Sequence, residues 1–223
     1  MRLLAVKSID RTKPWWRACQ TSRAPTKLAP MRHLSPADYK KMPWKNGGGI
    51  TYEIASEADA QGLLWRLSLA DVTGDGPYSL FGGLQRILTV VTGAGTRLID
   101  RQDGATTLAA PLVPTAFSGD QTMHAELVDG AIRNLNLIFD PRRLSAHVQL
   151  VEGPTRIALP GIDSTRHMIY GHSAEFQAPQ VAGLALKPGE TCTAVLPGTV
   201  VDCVAGAKIL WVELSVQSKR APY

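Results

Sequence analysis

The sequence predicts an all-β protein built of antiparallel sandwiches, and three observations predict it. Short runs of β-branched and apolar residues recur between turn signals along most of the chain, as in sandwich or barrel strands. The turns are short and rich in glycine, proline and aspartate, and connections this short join antiparallel neighbours. Only Ser35-Pro36-Ala37-Asp38-Tyr39 reads as a helix start, with Ser35 as N-cap and Pro36 at the first helical position. Pro43 keeps that helix short.

The strands follow in order. The first, 50–56, begins directly after three glycines, and the second, 63–71, ends at Thr73-Gly74-Asp75-Gly76-Pro77. Strands 86–92 and 96–100 flank Gly93-Ala94-Gly95, and 106–109 follows Gln102-Asp103-Gly104. Strands 124–128 and 132–139 flank Val128-Asp129-Gly130. Further runs lie at 145–151, 155–158 and 166–170. Strands 181–186 and 191–196 are separated by Lys187-Pro188-Gly189-Glu190, Leu196-Pro197-Gly198 closes the latter, and 208–216 is the last.

A chain of 223 residues buries a sizeable core, as one domain or two small fused ones. Its charged fraction of 19% and apolar fraction of 44% fit a soluble globular protein. The net charge of +5 is local: residues 1–30 hold seven Lys and Arg against Asp10 alone, leaving 17 basic and 18 acidic residues in the body. The basic balance therefore reports the leader, and no specific nucleic-acid partner is expected. The leader lacks a long apolar stretch, because Lys7 interrupts Leu3-Leu4-Ala5-Val6, so it does not read as a secretory signal. Met31 is the expected natural start, with 1–30 an upstream extension or disordered tail; a native N-terminus found upstream of Met31 by mass spectrometry overturns that. No apolar run approaches the length of a membrane span. Cys192 and Cys203 read as free buried thiols of a reducing cytoplasm, and no CxxC or CxxH spacing supports zinc.

The densest chemistry lies in Pro43-Trp44-Lys45-Asn46-Gly47-Gly48-Gly49-Ile50-Thr51-Tyr52-Glu53. Three glycines are tolerated where the backbone needs positive φ or must run close against another group, so a tight turn into a strand near Ile50 is one reading. An anion-binding turn is the other.

That string resembles the signature of the HutD/Ves family, bacterial proteins associated with histidine utilisation. The likeness continues through Trp65-Arg66-Leu67-Ser68, Gly76-Pro77-Tyr78-Ser79-Leu80-Phe81-Gly82-Gly83, Gln85-Arg86-Ile87-Leu88, Phe117-Ser118-Gly119-Asp120 and Asn134-Leu135-Asn136-Leu137, in family order over roughly 31–217. The resemblance implies a tandem cupin (bicupin, RmlC-like jelly roll), with halves near 45–140 and 141–217 and a tail at 218–223. The strand, glycine turn and strand of 86–96 and the Pro-Gly-Glu turn at 188–190 have the same cadence. Such sandwiches hold small ligands between their sheets.

No histidine falls between 34 and 123, so the His-x-His metal pair of many cupins is absent from the first half, and no metal or cofactor is expected. His167 and His172, with Glu175 nearby, are five residues apart and so point to opposite strand faces; they read as surface or loop residues. No nucleophile elbow, P-loop or dinucleotide fingerprint occurs. What remains is a polar set of Lys45, Asn46, Glu53, Arg66, Ser79, Arg86 and Asp120. The family-matching members are expected to converge on a cavity in the first half. There Arg66 and Arg86 offer forks to a carboxylate, Lys45 and Asn46 add donors, Glu53 accepts from a ligand N–H, and Trp44 supplies an apolar wall. The resemblance suggests urocanate or formylglutamate as ligand. Equally, Arg66 and Glu53 could form a cross-strand ion pair, Asn134 and Asn136 could tie down a loop, and Asp120 could cap the Ser118-Gly119 turn. The function expected is cytoplasmic binding of a small anionic metabolite without catalysis, modulating histidine utilisation, with a homodimer left open. The alternative is a metal-free isomerase or hydrolase with Glu53 as general base.

Overall fold

The computed structural model describes residues 30–44, 47–161, 165–175 and 177–217. Lys45, Asn46, residues 1–29 of the leader and the tail 218–223 lie outside the described residues. The first strands are β1 (Arg32–Leu34), β2 (Lys40–Pro43), β3 (Gly49–Asp59), β4 (Gly62–Val72) and β5 (Gly76–Pro77). They are followed by β6 (Gln85–Thr92), β7 (Thr96–Asp100), β8 (Thr106–Ala109), β9 (Thr115–Ser118), β10 (Met123–Leu127) and β11 (Ile132–Phe139). The rest of the chain forms β12 (Leu144–Glu152), β13 (Thr155–Ala158), β14 (Thr165–Ser173) and β15 (Gln180–Val181). It ends with β16 (Leu184–Ala185), β17 (Thr191–Val195), β18 (Val200–Cys203) and β19 (Lys208–Val216).

The strands assemble into four sheets, all with antiparallel ladders. A six-stranded sheet β2-β3-β4-β11-β6-β9 faces a four-stranded sheet β5-β10-β7-β8. A five-stranded sheet β1-β17-β14-β19-β12 faces a second four-stranded sheet β13-β18-β15-β16. Side-chain alternation explains the stacking. On β4 and β11, Leu67, Leu69, Leu135 and Leu137 point away from the first four-stranded sheet and pack on Met168, Tyr170, Leu210, Val212 and Leu214 of the five-stranded sheet. The two large sheets thus share a central core. Each has its own second core against its four-stranded partner: Leu88, Val90, Leu98 and Ala125 in the first sandwich, and Ile169, Val181, Val201 and Ile209 in the second. Strand β1, although first in the chain, pairs with β17 in the second sandwich. Across the central core, the Arg166 guanidinium pairs with Glu57, which also accepts from Trp65 Nε1 at 3.0 Å.

Most of the expected strands are present, and the helix start at Ser35 is a single 3-10 turn, Pro36–Asp38. Asp38 Oδ2 accepts from Ser35 N and Oγ, and the chain turns extended at Tyr39. The expected strand at 181–186 is instead two short strands, because Ala182 and Gly183 both take positive φ and turn the chain into a hairpin. Cys192 and Cys203 are buried free thiols on β17 and β18. Among the described residues, no helix is long and apolar enough to cross a membrane.

Candidate functional site

The face of the six-stranded sheet that looks at its four-stranded partner begins apolar and turns polar along β11. Ile132 sits in the apolar core, whereas Asn134 and Asn136 follow on the same face and line a cavity of about 520 Å3. The ladder arranges that wall in rows. Asn134 lies between Ala70 of β4 and Val90 of β6, and Asn136 between Ser68 and Leu88. Ile138 lies between Arg66 and Arg86, so the two arginines stand two strands apart in one row. Trp44 and Thr51 extend the wall at one side, and Pro77 of β5 with Tyr78, Ser79 and Phe81 of the loop that follows close it.

That loop is fixed by backbone hydrogen bonds. Tyr78 N donates to Met123 O at 2.8 Å, Phe81 N to Gly119 O at 2.8 Å, and Gly119 N to Leu84 O at 2.8 Å. Asp120 adds to this closure: its Oδ1 accepts from Gly83 N at 2.9 Å and its Oδ2 from Ser118 Oγ at 3.3 Å. Asp120 therefore holds the loop and does not line the cavity.

The glycine-rich turn is built to carry Trp44. Gly47 has φ of 72°, and its N–H donates to Trp44 O, so that donor is used within the turn. A Cβ on Gly49 would meet Asp71 O at 2.3 Å and the Trp44 ring at 3.2 Å, so only glycine lets the indole lie against the start of β3. Trp44 Nε1 donates to Thr51 Oγ1 at 2.8 Å, which turns the ring into the cavity wall.

The electrostatics centre on Arg86, which is only 5% exposed. Its guanidinium carbon stands 5.1 Å from the Tyr78 ring centre, 5.3 Å from Phe81 and 4.8 Å from Phe117. Arg66 shares Phe81 at 5.1 Å. Among the described residues, the Arg86 side chain makes a single long hydrogen bond, Nη1 donating to Ser79 O at 3.3 Å. Among the described residues neither arginine is in an ion pair. Burial pushes the Arg86 guanidinium down to about 10, partly offset by Tyr78 and reinforced by the like charge of Arg66. Burial also lowers Arg66, against the opposing charge of Glu53. It pushes the Tyr78 phenol up to about 12.

Five buried side-chain atoms find no hydrogen-bond partner among the described residues: Arg66 Nε, Ser68 Oγ, Tyr78 OH, Arg86 Nε and Asn136 Oδ1. All five belong to residues lining this one cavity. Buried polar groups are nearly always paired, so their concentration here marks a place shaped for something other than protein.

Of the residues singled out from sequence, the structure brings together Trp44, Arg66, Ser79 and Arg86. Glu53 is not part of the lining. A β-bulge between Glu53 and Ala55 sets Glu53 opposite Ser68 and leaves Ser56 opposite Arg66, and Glu53 Oε1 accepts from Ser56 Oγ at 3.1 Å. Glu53 and Arg66 are not ladder partners, and among the described residues they form no ion pair. Ser68, Tyr78, Phe81 and Asn134 join the site from outside the expected set, and Asn136 is an unpaired wall residue where a loop tie was the expectation. The signal for Ser68 and the two asparagines was period-two alternation, with Leu67 and Leu69 on β4 and with Leu135 and Leu137 on β11.

His167 corrects the surface reading. It is fully buried on β14, accepting from Trp211 Nε1 at Nδ1 (3.0 Å) and donating from Nε2 to Pro160 O (2.8 Å). The tryptophan N–H can only donate, which fixes the neutral tautomer with its proton on Nε2. Among the described residues, no three His, Cys, Asp or Glu side chains cluster at metal-binding distance.

Comparison with known proteins extends this picture. The family model described as HutD matches residues 36–210. An uncharacterised 21.2 kDa protein in the hutC 3′ region of Pseudomonas putida is 42% identical over 135 residues, covering 58% of this chain and 69% of that protein. Protein Ves of Citrobacter koseri is 32% identical over 120 residues, covering 52% of this chain and 62% of that protein. The structure of HutD from Pseudomonas fluorescens SBW25, described as a formate condition, superposes with a TM-score of 0.71 at 31% identity, over 85% of this chain and all of that one.

Proposed function

From the premise that this chain belongs to the HutD family, we propose that its first cupin binds a small carboxylate metabolite and that the bound protein modulates histidine utilisation without catalysing a reaction. One observation carries the reading. Two guanidiniums line a cavity that has no carboxylate among its described lining residues, and Arg86 is held there at nearly full burial. A buried charge is costly unless paired and hydrogen-bonded, and the planar guanidinium fork matches a carboxylate. The aromatic faces of Tyr78, Phe81 and Phe117 hold the arginine in place and leave its N–H groups available for the ligand.

The histidine-utilisation link rests on the HutD name and on the hutC-region relative. Formate, in whose condition the Pseudomonas fluorescens relative was solved, is the smallest member of the proposed ligand class. Binding without chemistry is favoured because Glu53, the one candidate base, is engaged by Ser56 and stands outside the lining.

The test is thermal stability of the full chain titrated with urocanate, formylglutamate, histidine, glutamate and formate, with the ligand then assayed for turnover. A saturable rise in Tm with the ligand recovered unchanged supports the reading. Consumption of the ligand refutes the non-catalytic part, and no shift with any carboxylate refutes the ligand class.

A further inference from the structure

The outer strands of a sheet expose unpaired backbone groups, and proteins keep such strands short or arm them with lysine and proline. Among the described residues, seven of the outer strands, β1, β2, β5, β8, β9, β13 and β16, have four residues or fewer, and β2 carries Lys40, Lys41 and Pro43. Strand β12, at the margin of the five-stranded sheet, departs from that rule. It has nine residues, and 144–151 contain no Lys, Arg, Asp or Glu. The charges that bracket it are already paired, Arg143 with Asp59 and Glu152 with Lys208.

The ladder shows which backbone groups of β12 are open. Arg143 O accepts from Gln217 N at 3.0 Å and Ala207 O from Gly153 N at 3.0 Å, one bond at each end of the β12–β19 register. Hydrogen-bonded pairs alternate along an antiparallel ladder, so Ser145, His147, Gln149 and Val151 spend their backbone groups on β19 and the even-numbered residues turn theirs outward. Leu144 N donates to Asp140 O, and Glu152 O accepts from Thr155 Oγ1. Ala146, Val148 and Leu150 are left along the open side, where β12 pairs with no second strand among the described residues.

We propose that β12 is the surface through which two copies of this chain join, edge to edge and antiparallel about a two-fold axis at Val148. The two five-stranded sheets then run on as one. The strand's own pattern selects a second copy. In this register Val148 stands opposite Val148 and Ala146 opposite Leu150 of the second copy, so outward backbone groups meet outward backbone groups. On the face toward the central core a small side chain meets a large one, Ala146 against Leu150, both half-buried at the margin of that core. On the other face the exposed His147 meets Gln149, a pair able to hydrogen-bond. No charge opposes its like along the pairing, a condition that a two-fold contact must meet because the same patch faces itself. A closed pair also removes the free edge from both copies.

The test is sedimentation velocity of the full chain at micromolar concentration, where a particle of twice 24.1 kDa is expected. His147→Lys with Gln149→Lys sets lysine opposite lysine twice across the axis and should weaken the dimer about tenfold. His147→Lys with Gln149→Glu sets lysine opposite glutamate twice and should return the affinity to within about twofold of wild type. Ala146→Pro removes only an outward N–H, where an edge strand tolerates proline, and should dissociate the dimer with circular dichroism unchanged. A wild type that stays monomeric overturns the proposal. So does a dimer that either the two lysines or a folded Ala146→Pro leaves intact, and so does a lysine–glutamate protein that associates no better than the two-lysine one. If Ala146→Pro does not fold, the lysine series decides alone, since both of its positions lie on the outer face.

Discussion

Replacing Arg86 by methionine should separate binding from stability. Methionine keeps a long unbranched stem and meets the same three aromatic rings, but it removes the charge. With the guanidinium lowered from its ordinary value to about 10, keeping it charged in the folded protein costs on the order of 3 kcal/mol. The faces of Tyr78, Phe81 and Phe117 return most of that through cation–π attraction, about 2 kcal/mol for a desolvated cation. The ligand-free protein therefore carries a net penalty near 1 kcal/mol, which methionine relieves. For a domain of this size, Tm should rise by about 2–4 °C. At a ligand concentration a hundredfold above Kd, the wild type gains about 2.7 kcal/mol from mass action and the variant nothing. A lowered folded value for a base means that the charged form weighs on the fold below about 10, so the wild type should regain stability on passing above that pH and Arg86→Met should not. Differential scanning calorimetry with and without formate reads both effects. A ligand-free Tm lower by more than about 4 °C would refute the reasoning and make Arg86 a structural member of the aromatic cluster.

Other residues give independent checks. Glu53→Gln removes the carboxylate whose field reaches Arg66, so anion affinity should rise about two- to threefold at low salt and return to wild type near 1 M, where screening is short-ranged; weaker binding would instead make Glu53 a ligand contact. Gly49→Ala drives a methyl into Asp71 O and the Trp44 ring and should cost about 2–4 kcal/mol in urea unfolding, whereas Gly47→Asn, with open space and a φ that asparagine accepts, should cost under about 1. His167 is held below its ordinary value by burial, so its unfolded form takes up a proton first: stability should be full above pH 6.5 and fall as pH drops below it, and His167→Gln, measured at pH 7.5 and 5, should flatten that slope.

The sequence was most informative where a residue breaks an apolar pattern. Arg66 stands among Trp65, Leu67 and Leu69, and Arg86 heads the run from Ile87 to Val91, so both were legible as charges on sheet strands. Glu53 shows where that legibility ended. It pairs with Ser68, so alternation puts it on the cavity face, yet its carboxylate accepts from Ser56 Oγ across the bulge between Glu53 and Ala55 and does not line the cavity, and such a bulge leaves no mark in composition. Tyr78 and Phe81 lie in a loop, where no periodicity assigns a direction; their places are fixed by backbone bonds to Met123 and Gly119, some forty residues away. The asparagines were legible as sharing one face of β11. Which side of a doubly buried sheet that face meets is settled only by the second sandwich, since Leu135 and Leu137 need Leu210 and Met168 to cover them.

The two sandwiches use the same architecture to opposite ends, and the contrast separates a ligand cavity from a polar core. In the second sandwich, Gly171 of β14 lets the chain at Leu186-Lys187 lie directly on the sheet: a Cβ there would meet Lys187 O at 2.5 Å and the Leu186 side chain at 3.2 Å. Leu186, Val181, Val201 and Cys203 then fill the gap against Ile169 and Ile209. The one buried histidine on that face, His167, has both ring nitrogens answered from within the protein. In the first sandwich the facing positions are Ser68, Asn136, Arg66 and Arg86, the closing loop is pinned along its length, and the buried polar atoms remain unanswered. Burial and polarity are common to both halves; hydrogen-bond satisfaction is what differs. A satisfied buried polar group contributes to the fold, whereas several unsatisfied ones converging on one rigid cavity destabilise it, and that cost is recovered when a ligand supplies the complementary atoms. The core of the second sandwich fixes the back of the six-stranded sheet, and the first holds the unanswered polar atoms on which the proposed ligand site rests.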